Sequence, residues 1–287
     1  MLNLIIRNLK IFFRDKTAVF FSLLGVFIVF GLYILFLGNV TAESVRSLEH
    51  GKFLIDSWLV AGLIGVTSLT TTLGAFGIIV NDRTDNIIKD FKSSPLSQKS
   101  LVGSYILSSF LIGVIMSIIT LIVGQLYIFI NGGTFLPLFS LIKVFGVIIL
   151  SVLASSSIVF LIVSFLNTQS SFSTASITIG TLSGFITAIY VPMGVLPSSI
   201  QFLVKLFPIS YAAALFRQVF MAVPSEKVFQ NAPASQILEF NKDMGVQIFF
   251  GSHYITPLEC VLILIVTIVI FYLLGLLVFS RKKKIIQ

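Results

Sequence analysis

The chain has 287 residues, of which 56% are hydrophobic and only 10% charged, and its mean hydropathy is +1.06. Soluble domains carry about 25% charged residues, so this balance excludes both a soluble globular protein and a disordered chain. With 19 Lys and Arg against 11 Asp and Glu the net charge is +8, which on so apolar a chain points to phospholipid headgroups rather than nucleic acid. The single cysteine, Cys260, excludes an intrachain disulfide and any cysteine-rich metal site. His50 and His253 are lone loop residues that offer little for acid–base chemistry.

From the N-terminus, Leu2–Phe13 reads as an amphipathic helix. Leu2, Ile5, Ile6, Leu9, Phe12 and Phe13 share one face, while Asn3, Arg7, Lys10 and Arg14 recur on the other. That pattern suits a helix over residues 1–16 lying flat in the cytoplasmic headgroup layer. A topogenic basic end explains the same charges; the sharper reading is an interfacial helix that braces a moving bundle.

A membrane-crossing helix needs about 20 mostly apolar residues. Six stretches qualify: Thr17–Gly38, Ser57–Val80, Leu101–Ile130, Leu136–Leu166, Phe172–Val191 and Pro257–Phe279. The first is read as a retained span, because it exceeds the roughly 7–15 apolar residues of a signal peptide although Val40 and Ala42 resemble a cleavage site. Asn131-Gly132-Gly133-Thr134 is a tight-turn signal that joins the third and fourth spans into a long hairpin. The short alternating segments of an outer-membrane barrel are absent from the sequence.

Basic residues set the orientation. With the N-terminus inside, the inner segments hold Arg7, Lys10, Arg14, Lys16, Arg83, Lys89, Lys92, Lys99 and the run Arg281-Lys282-Lys283-Lys284. The two short outer connections hold only Arg46 and Lys52. The expectation is therefore a multi-pass protein of the cell membrane with both termini cytoplasmic.

The inner loop 81–100 is charge-rich. Within it Ile87, Ile88 and Phe91 form one face of a short helix among Lys89, Asp90 and Lys92, and Ser93-Ser94-Pro95 stops it. An apolar face with a charged rim suits docking to a soluble partner, although a connector resting on the membrane surface explains it equally. Asp82 and Asp85 lie close in sequence, lack metal-spaced partners and read as solvent-facing charge.

Residues 192–256 are the large outer region. It opens Pro192-Met193-Gly194-Val195-Leu196-Pro197 and continues into an apolar segment broken by Lys205, Pro208 and Arg217. Each Lys or Arg at mid-bilayer costs about 2.5–3.5 kcal/mol, so this segment reads as helical pieces that re-enter or lie in the outer leaflet. Residues 224–254 read as an extracellular cap.

The spans carry almost no charge, which argues against a proton-coupled carrier. Hydroxyl and small residues are abundant instead. Ser176, Gly180, Ser183, Gly184 and Thr187 form one stripe at helical spacing, read either as bundle packing or as a subunit seam or mildly polar conduit wall. No P-loop, H-E-x-x-H or G-x-S-x-G motif occurs, so the chain carries no catalytic constellation and is not expected to be an enzyme.

Three stretches resemble the transmembrane subunit of the type-2 ABC exporters. Asn8–Ala18, NLKIFFRDKTA, is similar to that family's interfacial helix entering the first span. Asn81–Leu101, NDRTDNIIKDFKSSPLSQKSL, resembles its inner loop and coupling helix, although the family often has Glu-Arg where this chain has Asn81-Asp82-Arg83. Tyr190–Arg217, YVPMGVLPSSIQFLVKLFPISYAAALFR, is the most specific match and resembles its outer re-entrant region.

The resemblance implies one all-α polytopic domain over 1–287 with six transmembrane helices. It implies a separate P-loop ATPase that binds ATP and Mg, so that this chain holds no cofactor, and a second permease in a homodimer or heterodimer. Coupling would fall to Asp82, Arg83, Ile87, Ile88, Lys89, Asp90 and Phe91. The outer gate would involve Pro192, Gly194, Pro197, Pro208, Tyr211 and Arg217. The alternative weighed against it is an ion-coupled or uncoupled carrier with no ATPase partner.

Overall fold

A computed structural model describes residues 1–33, 48–93 and 96–283. Thirteen α-helices make up most of the described chain. The first three are α1 (Leu2–Arg14), α2 (Lys16–Ser22) and α3 (Leu24–Leu32). The long helix α4 (Gly51–Thr84) leads to the short α5 (Ile87–Ser93), and α6 (Gln98–Ile130) and α7 (Leu138–Phe165) form a hairpin. Beyond α8 (Gln169–Ile186) come α9 (Ser198–Leu206), α10 (Pro208–Phe220), α11 (Ala222–Val228) and α12 (Ala234–Asp243). A two-stranded antiparallel ribbon, β1 (Phe249–Phe250) and β2 (His253–Tyr254), precedes α13 (Pro257–Lys283).

The helix boundaries follow local chemistry. Ser97 accepts from the Ser100 amide at 3.2 Å and starts α6, and Thr168 accepts from the Ser171 amide at 3.2 Å and starts α8. Gly132, at φ 88°, makes the turn between α6 and α7 that Asn131-Gly132-Gly133-Thr134 calls for. Pro208 opens α10, where its missing N–H costs no hydrogen bond.

Helix α4 is the axis of the fold and is buried along nearly its whole length by α6, α7, α8 and α10. Its hydroxyls explain how so polar a helix can be central. Thr67, Thr71 and Thr72 donate back to carbonyls of their own helix at 2.6–2.9 Å. Others reach across: Thr67 meets Thr120 at 3.2 Å, Ser68 meets Ser151 at 2.7 Å, and Ser109 donates to the Thr72 carbonyl at 3.2 Å. These hydroxyls are buried joints between helices. Such bonds average about 0.6 kcal/mol in a membrane protein, so they register the helices without freezing them.

Four helical stretches are long and apolar enough to cross a membrane: Gly51–Thr84, Lys99–Ile130, Leu138–Phe165 and Pro257–Val278. A fifth arises if α9 and α10, bent by 91° at Phe207, count as one broken span. Six crossings were expected, and two of them are not in this set. The first, Thr17–Gly38, is described only as far as Tyr33, its remainder lying outside the described residues. The fifth, Phe172–Val191, corresponds to α8, which stops at Ile186 and has Ser or Thr at eight of its 18 positions.

Close helix approach depends on glycine at two points of α6. A Cβ on Gly124 would lie 2.4 Å from Val60 Cγ1, and one on Gly113 would lie 2.7 Å from Val152 Cγ1. Gly146 on α7 has nothing within 4 Å of such an atom. We expect Gly124→Leu to destabilise the protein by about 1–3 kcal/mol through overpacking, whereas Gly146→Ala leaves it unchanged or slightly more stable. Unfolding midpoints in mixed micelles measure both.

Candidate functional site

Polar side chains gather at the two ends of α4. At the C-terminal end Asp82 is only 3% exposed. Arg7 of α1 holds it with both arms of its guanidinium, Nη1 to Oδ2 at 2.7 Å and Nη2 to Oδ1 at 2.8 Å. The Tyr105 hydroxyl of α6 donates to the same Oδ2. The hydrogen bond to Asp82 raises the pKa of Arg7 above its ordinary value, outweighing the opposing effect of burial. One residue on, Asn8 is buried and donates to Ser108 Oγ at 3.1 Å. Ile5 and Phe12 fill the same face of α1 with apolar contacts. Helix α1 is thus keyed to α4 and α6 by one ion pair, one hydrogen bond from the Asn8 amide and two hydrophobic side chains.

This changes the reading of Asp82 and Arg83. Asp82 is not solvent-facing charge, because Arg7 and Tyr105 compensate it inside the protein. Arg83 is turned inward as well, donating to the carbonyls of Val163 at 3.2 Å and Leu166 at 3.0 Å. Those carbonyls end α7, where the Val163 carbonyl also accepts from the Leu166 amide at 3.2 Å, so a cation there caps the last turn and opposes the helix dipole. Lys10 and Arg14 of α1 stay exposed.

Helix α5 begins after a left-handed turn at Asn86, φ 60°. Its apolar face is the inner one: Ile88 and Phe91 pack on the buried cluster that includes Phe12, Val80 and Leu101. Ile87 is half-buried, while Lys89 and Asp90 are exposed. The Arg7 guanidinium carbon lies 5.4 Å from the centre of the Phe91 ring, so the residue that holds Asp82 also touches α5.

Near the N-terminal end of α4 the chain breaks after α8. Gly184 is required there, since a Cβ would fall 2.1 Å from the Tyr190 ring that folds back over it. Ala188 takes φ 50°, and the amides of Ile189 and Tyr190 return to the Gly184 carbonyl at 2.9 and 3.3 Å. Pro192 leads into a single 3-10 turn, Met193–Val195, and Pro197 precedes α9. Gly194 sits against Asp243 of α12, leaving no room for a side chain. The bend into α10 is fixed by two hydroxyls: Tyr211 donates to the Lys205 carbonyl at 2.6 Å, and Ser210 lies within hydrogen-bond reach of the Val204 and Ile186 carbonyls at 2.6 and 2.7 Å.

Arg217 of α10 is 2% exposed and lies at the centre of this region. Its Nη2 donates to the carbonyls of Thr187 at 2.8 Å and Ala188 at 3.0 Å, and Nη1 donates to the Gly245 carbonyl at 3.3 Å. The guanidinium carbon lies 5.0 Å from the centre of the Trp58 ring of α4, and Trp58 Nε1 donates to the Met244 carbonyl at 2.7 Å.

The stripe on α8 faces largely inward. Ser183, Gly184 and Thr187 are buried, and Ser176 and Gly180 are half-buried. The hydroxyls left exposed on that helix are Ser170, Ser171 and Ser173 at its start and Thr174, Thr178 and Thr181 along a neighbouring stripe. Asp56 was missed altogether. It is 1% exposed near the start of α4, where the Tyr33 hydroxyl donates to Oδ1 at 3.1 Å. The second span was started at Ser57, one residue too late to include it.

A family model described as ABC-2 family transporter protein matches residues 53–277. The chain belongs to that family. No curated protein matches it. ABC-2 permeases are membrane components of ABC transporters, are not themselves catalytic and generally work with a partner ATPase. Membership turns the reading away from an ion-coupled carrier. The match takes in both ends of α4 and the whole outer region, but it begins after α1, so the Arg7 half of the inner ion pair lies outside it.

Removing one partner of a buried pair costs about 3–5 kcal/mol, and the partial exposure of Arg7 lowers the expected figure to about 2 kcal/mol. We expect Arg7→Met and Asp82→Asn each to destabilise this ABC-2 protein by that amount. The double variant should cost clearly less than the sum, a coupling that a double-mutant cycle of unfolding midpoints reads directly.

Proposed function

We propose that this chain is the permease subunit of an ATP-driven exporter of the cell membrane. It moves a drug, antibiotic, peptide or lipid-like substrate outward by alternating access. ATP and Mg are bound by a separate P-loop ATPase, and two permeases with two ATPases form the working unit. Each permease crosses the membrane six times with both termini cytoplasmic, α2–α3 and α8 supplying the two crossings beyond the four long helices. Residues 1–16 form the interfacial helix, 81–100 the coupling loop, and 192–256 the re-entrant and extracellular region.

The observation that carries this reading is the junction at the inner end of α4. There the amphipathic α1, the axial helix and the short α5 meet through Arg7, Asp82 and Phe91. A push on α5 reaches α4 and α1 through side chains already in contact. Ile88 and Phe91 anchor α5 to the permease, so the ATPase meets Ile87, Lys89 and Asp90. Asp82 and Arg83 act behind that surface, one binding α1 and the other the end of α7.

Two outcomes test the proposal. Reversing the exposed charges with Lys89→Glu and Asp90→Lys should remove the ATPase from the purified complex while the permease keeps its unfolding midpoint; unchanged recovery would reject α5 as the docking helix. In a Cys260→Ala background, cysteines placed at His50 and Phe240 should react with an impermeant maleimide on intact cells. One placed at Asp90 should react only after permeabilisation, and the opposite pattern would reverse the topology.

A further inference from the structure

We infer that Arg217 is the lock of the outer gate, holding the closed state through backbone carbonyls that the open state withdraws from it. The inference deepens the proposed function and rests on its assignment of residues 192–256 as that gate.

The argument begins with the cost of the residue. A guanidinium at 2% exposure has given up its water, and among the described residues Arg217 forms no ion pair. Carbonyl dipoles and one aromatic face replace a counter-ion. Thr187 and Ala188 follow the last turn of α8, so their carbonyls extend the negative end of that helix dipole toward the guanidinium. Gly245 lies beyond α12, in the turn that begins the return to the membrane. Trp58 belongs to the axial helix. One side chain from α10 therefore ties the end of α8, the outer cap and α4 together. The neighbouring Gln218 adds a bond of 2.9 Å to the Val246 carbonyl.

Such a joint is all-or-none. Among the described residues none of the three carbonyls accepts from another donor, and a buried cation that loses part of its shell needs water in its place. The shell is already strained to its limit, since Nε has no hydrogen-bond partner among the described residues. Separating the cap from α8 by even a small distance would hydrate Arg217, which makes a half-open gate unfavourable and leaves two states. The backbone at the break is suited to movement: Ala188 holds a left-handed conformation that a non-glycine residue adopts at some cost, so the closed form is maintained by its contacts rather than by local preference.

Solvent access at the break provides the test, with the whole chain in native membranes and Cys260 replaced by Ala. Cysteines are placed at Ala188, beside the lock, and at Ser155, buried deep in the bundle, and both are exposed to an impermeant maleimide. Arg217→Met should raise labelling at 188 about tenfold, the effect of losing one charge-assisted hydrogen bond's worth of preference for the closed state, with 155 still protected. Arg217→Lys keeps the charge but not the fork, should give a smaller rise, and serves if the Met variant does not fold. Protection at 188 unchanged in both variants would overturn the lock. Labelling that rises equally at 188 and 155 would also overturn it, because Arg217 would then only hold the bundle together. The readout needs no ATPase, so failure of α5 to dock an ATPase would sink the proposed function and leave this result standing.

Discussion

Burying charge without water is the constraint on which this structure turns. Inside a bilayer every polar group must find its partner in the protein, and a lone ion there is several kcal/mol too expensive to keep. Asp82 and Arg217 each meet that demand with partners from distant parts of the chain. Asp82 takes a guanidinium 75 residues away and a phenol 23 residues away. Arg217 takes carbonyls 28 to 30 residues away on two separate segments. Because these partners come from separate segments of the chain, satisfying the charge and assembling the segments are one event. Polar residues in this protein therefore mark joints, and the joints lie at the two ends of one rod.

That rod is α4. Trp58 stands near its N-terminal end and Asp82 near its C-terminal end, separated by about 36 Å at the helical rise. Between them the helix is sheathed by α6, α7, α8 and α10 and registered by hydroxyl pairs such as Thr67–Thr120 and Ser68–Ser151. Hydroxyl pairs with small residues allow close approach yet cost little to re-form after a shift by part of a turn. A core of interlocked large side chains would resist that shift. The sequence's wealth of Ser and Thr is thus consistent with a bundle whose helices stay paired while they tilt.

The fold was legible in the sequence to the extent that hydropathy writes it. The long apolar runs, the Asn131–Thr134 turn and the short helix before Pro95 announce themselves through composition and periodicity. What periodicity cannot report is which face of a helix meets another helix. On α8 the inward residues Ser183 and Thr187 and the exposed Thr174 and Thr178 are chemically alike, and only the packing of Tyr190 over Gly184 tells them apart. Asp82 looked like surface charge because Arg7, its partner, lies in a segment that reads equally well as a basic end. Asp56 was lost to a boundary: a hydropathy window stops at the first carboxylate, and the helix does not. Arg217 was visible as an intruder in an apolar segment, but the carbonyls that hold it have no signature in the sequence.

Both joints bear on where work would enter. Asp82 is held by a bidentate guanidinium, and Arg217 by three backbone carbonyls. The side of α5 turned away from the bundle carries Lys89 and Asp90, exposed close to the Arg7–Asp82 pair. Load applied there would act on α4 at one end, while Arg217 and Trp58 fix the other end to the outer cap. With one rod carrying both joints, a displacement at its Asp82 end and a displacement at its Trp58 end are parts of the same movement.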